Sequence, residues 1–262
     1  MSGHSKWATI KHRKGAADAA RGKLFAKLIR QVEVAAREGG SDLEANATLR
    51  TMYQKARDNS VPLDTIERAI KRGTGELEGV SYEQVTYEGY APGGVAMFVD
   101  ALTDNRNRTG SEIRRLFTRA GGSLAEPGAV AWQFERKGVV VVSATGPQPD
   151  GAAANSAVPD EDELILAALE AGAEDVVQQD DIWRVTCAAA DTMTVREAVE
   201  AAGIAVASAD LTYVPQNLIE LTSASEAKQV MAVLDALDDH DDVQGVYANF
   251  DISDSLLAAI AD

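Results

Sequence analysis

"QVTYEGYAPGGVAMFVDAL" (residues 84–102) is the stretch on which the fold turns. Before it, apolar side chains recur every three to four positions, as on a helix face. Here they alternate, and Ala91-Pro92-Gly93-Gly94 interrupts them. Alternation on both sides of a Pro-Gly turn signal predicts two strands joined by a turn. A helical segment followed by strands makes the chain α+β rather than all-α.

Working back from this stretch, the spacing predicts three helices. Phe25, Leu28, Ile29, Val32 and Ala36 form one apolar face between Ala16 and Glu38, and Gly39-Gly40 is a helix stop. Ser41 with Glu44 fits a capping box for a second helix, whose face is Leu49, Met52, Tyr53 and Ala56. Pro62 opens a third, with Ile66 and Ile70 on one side and Gly73 at its close.

Downstream, Thr109 with Glu112 fits another capping box, Ile113, Leu116 and Phe117 make the stripe, and "AVAWQFE" reads as a strand. Then "GVVVVSA", "EDELILAALEAG", "EDVVQQ", "IWRVTCA", "TVREAVEAAG" and "IAVASADLTYV" follow in the order β-α-β-β-α-β, that of a ferredoxin-like sandwich. The Pro/Gly/Ala-rich residues 145–159 read as a flexible loop inside it. "LIELT", a helix capped at Ser223–Glu226 and "VQGVYANF" complete a β-α-β unit too small to bury its own helix. Segment 82–136 has the same deficit, so we expect the two to pair. The expected architecture has three domains. Residues 1–77 form a basic helical bundle, 82–136 plus 216–252 a split α+β domain, and 137–215 an inserted ferredoxin-like domain.

Charge is segregated along the chain. The formal net charge is -16, yet residues 1–72 hold 15 Lys or Arg against 8 acids. Residues 138–262 hold 24 acids and three cations, Arg184, Arg196 and Lys228. A basic end on an acidic body points to a polyanion contacted at one end only. Lys6, Lys11, Arg13, Lys14, Arg21, Lys23, Lys27 and Arg30 are candidate phosphate donors, and Trp7 and His12 among them are candidate stacking rings. Each cation taken singly reads better as a solvated helix end; the cluster is what points to nucleic acid. In "TDNRNRT", Asn105, Arg106, Asn107 and Arg108 stand between a strand end and a helix start, where they could grip a phosphate or a base edge. The bland alternative is a polar turn.

"DDHDD" (238–242) lacks the glycine and ligand spacing of a calcium loop, and is expected to be an exposed acidic turn. Histidine occurs only at positions 4, 12 and 240, and no nucleophile elbow, P-loop or dinucleotide fingerprint is present. We expect no enzyme activity, no metal, no cofactor and no small-molecule substrate. A single cysteine, Cys187, and no long apolar run point to a cytoplasmic protein without membrane contact.

"GHSKWATIKHRKGAADAARGKLFAKLIR", "VPLDTIERAIKRGTGE", "YEGYAPGGVAMFVDALTDNRNRT" and "GGSLAEPGAVAWQFERKG" closely resemble the YebC/PmpR family over essentially the whole chain. That family includes the mitochondrial translational activator of cytochrome c oxidase. The resemblance implies three domains around a broad central cavity. It also implies a regulator of gene expression, either a transcriptional one that binds promoter DNA or a translational one that associates with ribosomes and ribosomal RNA and relieves stalling, for example on proline stretches.

Overall fold

The computed structural model describes residues 18–144, 160–179 and 181–261. Helices α1 (Asp18–Gly39), α2 (Ala47–Asp58) and α3 (Leu63–Gly73) come first. Strands β1 (Glu83–Tyr90) and β2 (Ala96–Thr103), helix α4 (Arg106–Arg119) and strand β3 (Ser123–Leu124) follow. The middle of the chain is β4 (Phe134–Ser143), α5 (Glu161–Glu170), β5 (Ala173–Gln179), β6 (Ile182–Ala188), α6 (Thr192–Ala201) and β7 (Val206–Pro215). It ends with β8 (Ile219–Leu221), α7 (Ala224–Asp238), β9 (Val243–Ala248), β10 (Phe250–Ile252) and α8 (Asp254–Ala261). The chain is α+β, a helical region followed by two sheet-bearing segments. It groups into two compact units, and α1 runs from the first into the second at Gln31/Val32.

The second unit takes Val32–Glu78 and Arg136–Tyr213. Its sheet has the order β5-β6-β4-β7, with β6 antiparallel to both β4 and β5, which is the ferredoxin-like arrangement expected from the alternation. Val140, Val142, Trp183, Val185 and Cys187 from the sheet pack with Leu164, Ala168, Val195 and Val199 from α5 and α6. Burial pushes the Cys187 thiol above its usual pKa. In α6, the buried Arg196 guanidinium reaches Asp58 of α2 at 2.6 Å and Glu200 at 2.9 Å. The 145–159 loop lies outside the described residues.

Two sequence readings need correction in this part of the chain. The second helix starts at Ala47, not after Ser41. Its cap is Asn46, whose Oδ1 accepts from Leu49 N while its Nδ2 donates to Ala35 O and Gly40 O. One amide thus satisfies orphan groups at the end of one helix and the start of the next. Likewise "AVAWQFE" is not a separate strand. Residues 131–133 form a single 3-10 turn, and one strand runs unbroken from Phe134 to Ser143.

The first unit takes the chain up to Gln31, then Gly79–Glu135 and Val214–Asp262. Its sheet has the order β3-β1-β2-β9, antiparallel throughout, with Glu83 opposite Thr103 and Tyr90 opposite Ala96. Ile113 and Phe117 of α4, and Val230, Leu234 and Leu237 of α7, cover Met97, Val99 and Val246. Gly89 is required in β1, since a Cβ there would stand 2.7 Å from the Phe117 ring.

Buried Glu88 on β1 explains the turn at 131–133. Its carboxylate accepts from the backbone N–H of Gly128 (2.6 Å), Val130 (2.6 Å) and Ala131 (2.7 Å), which removes that backbone from any ladder. Tyr90 Oη and Trp132 Nε1 both donate to Ala129 O, and the pinned loop leaves the Trp132 indole 65% exposed. Glu88→Ala would strand three donors and is expected to lower the unfolding free energy by about 3 kcal/mol in urea titration. Glu88→Gln, which keeps one accepting oxygen, should lose less.

Candidate nucleic-acid interface

At the end of the first unit's sheet where β2 finishes, the chain turns directly into α4. Asn105, extended at φ -149°, caps the helix by accepting from Arg108 N at 3.1 Å. The helix therefore begins one turn earlier than the Thr109–Glu112 motif suggests. Thr109 falls inside it, fully buried, within 2.8 Å of Thr103 Oγ1 and 2.7 Å of Asp242 Oδ2. A carboxylate only accepts, so Thr109 donates to Asp242 and Thr103 donates to Thr109, while Asn105 N donates to Thr103.

Asp242 gathers the surrounding groups. Arg108 reaches its Oδ2 at 2.7 Å, Arg30 its Oδ1 at 3.3 Å, and its carbonyl accepts from Leu102 N at 2.8 Å. Burial alone would raise this carboxyl's pKa. The hydrogen bonds from Arg108 and Thr109 and the Arg108 charge outweigh that, and hold it below the ordinary value. The expectation of an exposed acidic turn fails here, because Asp242 is only 5% exposed and serves as an internal counter-ion.

The rest of the turn receives α1. Lys27 Nζ donates to Asp238 O at 2.6 Å, Lys23 Nζ to Asp239 O at 3.3 Å and Arg30 to Asp241 O at 2.8 Å. These carbonyls stand at the C-terminal end of α7, where cations are favoured by the helix dipole. The Arg30 guanidinium also lies 5.2 Å from the Tyr82 ring centre. His240 Nδ1 accepts from Asp242 N, which leaves Nε2–H to donate to Glu112 at 2.9 Å. A cleft of about 580 Å³ opens among these groups. Lys23, Arg30, Arg108 and Arg115 line it against Asp104, Glu112, Asp239, Asp241 and Asp242, so it has no surplus of positive charge. Among the described residues no group of three or more His, Cys, Asp or Glu is placed to hold a metal.

The expected binding residues fall into three groups. Lys6, Trp7, Lys11, His12, Arg13 and Lys14 lie outside the described residues, and Arg21 is described only as part of the α1 backbone. Lys23, Lys27, Arg30, Asn105 and Arg108 meet at this one end of the sheet, but each already binds oxygens or backbone of its own chain. Arg106 and Asn107 are exposed, and Arg106 stands 3.8 Å from equally exposed Glu83. Sequence reasoning passed over three further arginines of α4, at 114, 115 and 119, whose signal is the charge of "RRLFTR" itself. It also passed over the exposed Trp132.

The N-terminal part of the chain, residues 5–76, matches the family description "TACO1/YebC protein N-terminal domain". Residues 82–250 match "TACO1/YebC second and third domain". The chain belongs to the TACO1/YebC family. A family relative from Rubrobacter xylanophilus is 55% identical and one from Halothermothrix orenii 52% identical, each alignment covering 100% of both chains. Both relatives are named "Probable transcriptional regulatory protein". The crystal structure of a conserved hypothetical protein from Aquifex aeolicus aligns with a TM-score of 0.79 at 44% identity. That alignment covers 90% of this chain and 93% of the other.

A carboxyl held below its ordinary pKa stabilises the fold above the unfolded value of about 3.9, and loses that contribution as pH falls through its folded pKa. Urea midpoints measured from pH 7 down to pH 2 should therefore show a steeper acid limb for the wild type than for Asp242→Asn. The gap between the two proteins should narrow toward the acid end.

Proposed function

We propose that the protein is a non-enzymatic regulator of gene expression that binds DNA at its basic end and acts in transcription. The observation that carries this reading is the charge segregation. Residues 1–72 hold 15 cations against 8 acids on a chain of net charge -16. The names of the two bacterial relatives agree with it. Lys23, Lys27 and Arg30 fasten α1 to the carbonyls after α7, which supports a contact made at this end of the chain. Its phosphate donors are the leader cations Lys6, Lys11, Arg13 and Lys14, with Trp7 and His12 as stacking rings. The acidic body limits adhesion along extended polyanion and confines contact to this end.

One observation favours a second reading, ribosome association. The 24 acids and three cations of residues 138–262 oppose wrapping on duplex, and suit a body left in solvent while the basic end enters folded RNA.

Co-sedimentation with ribosomes at near-physiological salt, with duplex DNA as competitor, separates the two. Release from ribosomes by a promoter duplex in preference to scrambled duplex is the expected result, and retention despite excess DNA would select the ribosome. Alanine at Lys6, Lys11, Arg13 and Lys14 together should weaken DNA binding and make the log K against log salt slope shallower by up to about 3.6. Unchanged affinity of that variant for both duplex DNA and ribosomes would sink the proposal.

A further inference from the structure

The described cations of the first unit, the exposed Lys228 of α7 aside, fall into two sets. Lys23, Lys27, Arg30, Arg106 and Arg108 all face carboxylates or carbonyls of their own chain. Arg114, Arg115 and Arg119 are exposed and have no partner among the described residues. All three stand in the last two turns of α4, and Glu112, the one acid of that helix, is occupied by His240.

We infer that Arg114, Arg115 and Arg119 form a second contact, which takes the phosphodiester backbone of duplex DNA. The inference rests on the proposed nucleic-acid function and adds a site to it. Three features of the face suit this ligand. At a rise of 1.5 Å per residue, positions 114 to 119 span about 7.5 Å along the helix, close to two nucleotide steps of 3.4 Å. Arg115 and Arg119 are one turn apart and so project side by side, with Arg114 flanking them. Every cation of α4 is arginine, whose planar fork pairs with two phosphate oxygens at once, where lysine offers a point charge.

The helix itself is firmly seated, since Ile113 and Phe117 on its opposite side are fully buried in the sheet-side core. The guanidiniums are thus presented on a rigid rod, and little backbone ordering is needed on binding. Asp239 and Asp241 stand on the cleft side near Arg115 and disfavour a phosphate there, so the duplex approaches the outward side of α4.

The test compares three full-length proteins for binding to one 30-base-pair duplex across a salt series: wild type, Arg114→Ala/Arg115→Ala/Arg119→Ala, and the quadruple leader variant. The expected result is a slope shallower by about 2.7 for the triple arginine variant, with its urea midpoint unchanged because the three side chains are exposed. Lysine at the three positions should restore most of the slope but not all of the affinity. If the triple variant keeps the wild-type slope while the leader variant loses its own, the α4 site is overturned and the function stands. If neither variant changes the slope, both are overturned.

Discussion

Asp242 is a carboxylate at which separate parts of the first unit meet. Arg108 and Thr109 of α4 bind one oxygen, Arg30 of α1 faces the other, and its carbonyl closes onto the end of β2. Removing water from an anion is costly unless hydrogen bonds replace the lost hydration, and here two short ones do. The start of α4, the turn after α7 and the first half of α1 consequently share one electrostatic anchor. The side of α4 that remains open is set by this anchor.

Charge has two distinct uses in this unit. Within the anchor, cations and acids neutralise each other at short range and stabilise an arrangement of chain segments. Outside it, the unmatched arginines of α4 contribute a field that reaches solvent. A formal charge of -16 describes neither, because it averages paired groups with unpaired ones. What a polyanion meets is the unpaired set, and only the three-dimensional pairing identifies it.

The elements were largely legible in the sequence, because their signals are local. Alternation gave β1, β2 and the β-α-β-β-α-β run; the Ser223–Glu226 cap is seen, with Ser223 accepting from Glu226 N. The caps at Asn46 and Asn105 were missed because motif spacing was satisfied by chance at Ser41 and Thr109. In both cases an asparagine took the cap, and Asn46 is held there by further bonds to Ala35 O and Gly40 O. The Phe134–Ser143 strand was split in two in sequence reasoning because Glu88, 40 residues before Gly128, decides where the preceding loop stops. For the site, the importance of 105–108 was readable from residue type. Its partner at 238–242 was not, since it lies 134 residues from Arg108 and reads as an isolated acidic run. The α4 arginines were hidden by their own helix, where Ile113, Leu116 and Phe117 make the arginines look like an ordinary solvated face.

The grip on α1 has a consequence for how such a chain can diverge. Lys23, Lys27 and Arg30 bind the main-chain oxygens of residues 239, 238 and 241. Every amino acid supplies a carbonyl, so substitutions at these three positions leave the acceptors in place provided the turn keeps its course. Asp242 differs, because there the side chain itself is the acceptor. Three neighbouring aspartates can therefore drift with little penalty to α1 docking while the fourth stays fixed, and covariation between α1 and this turn would be faint although the two touch.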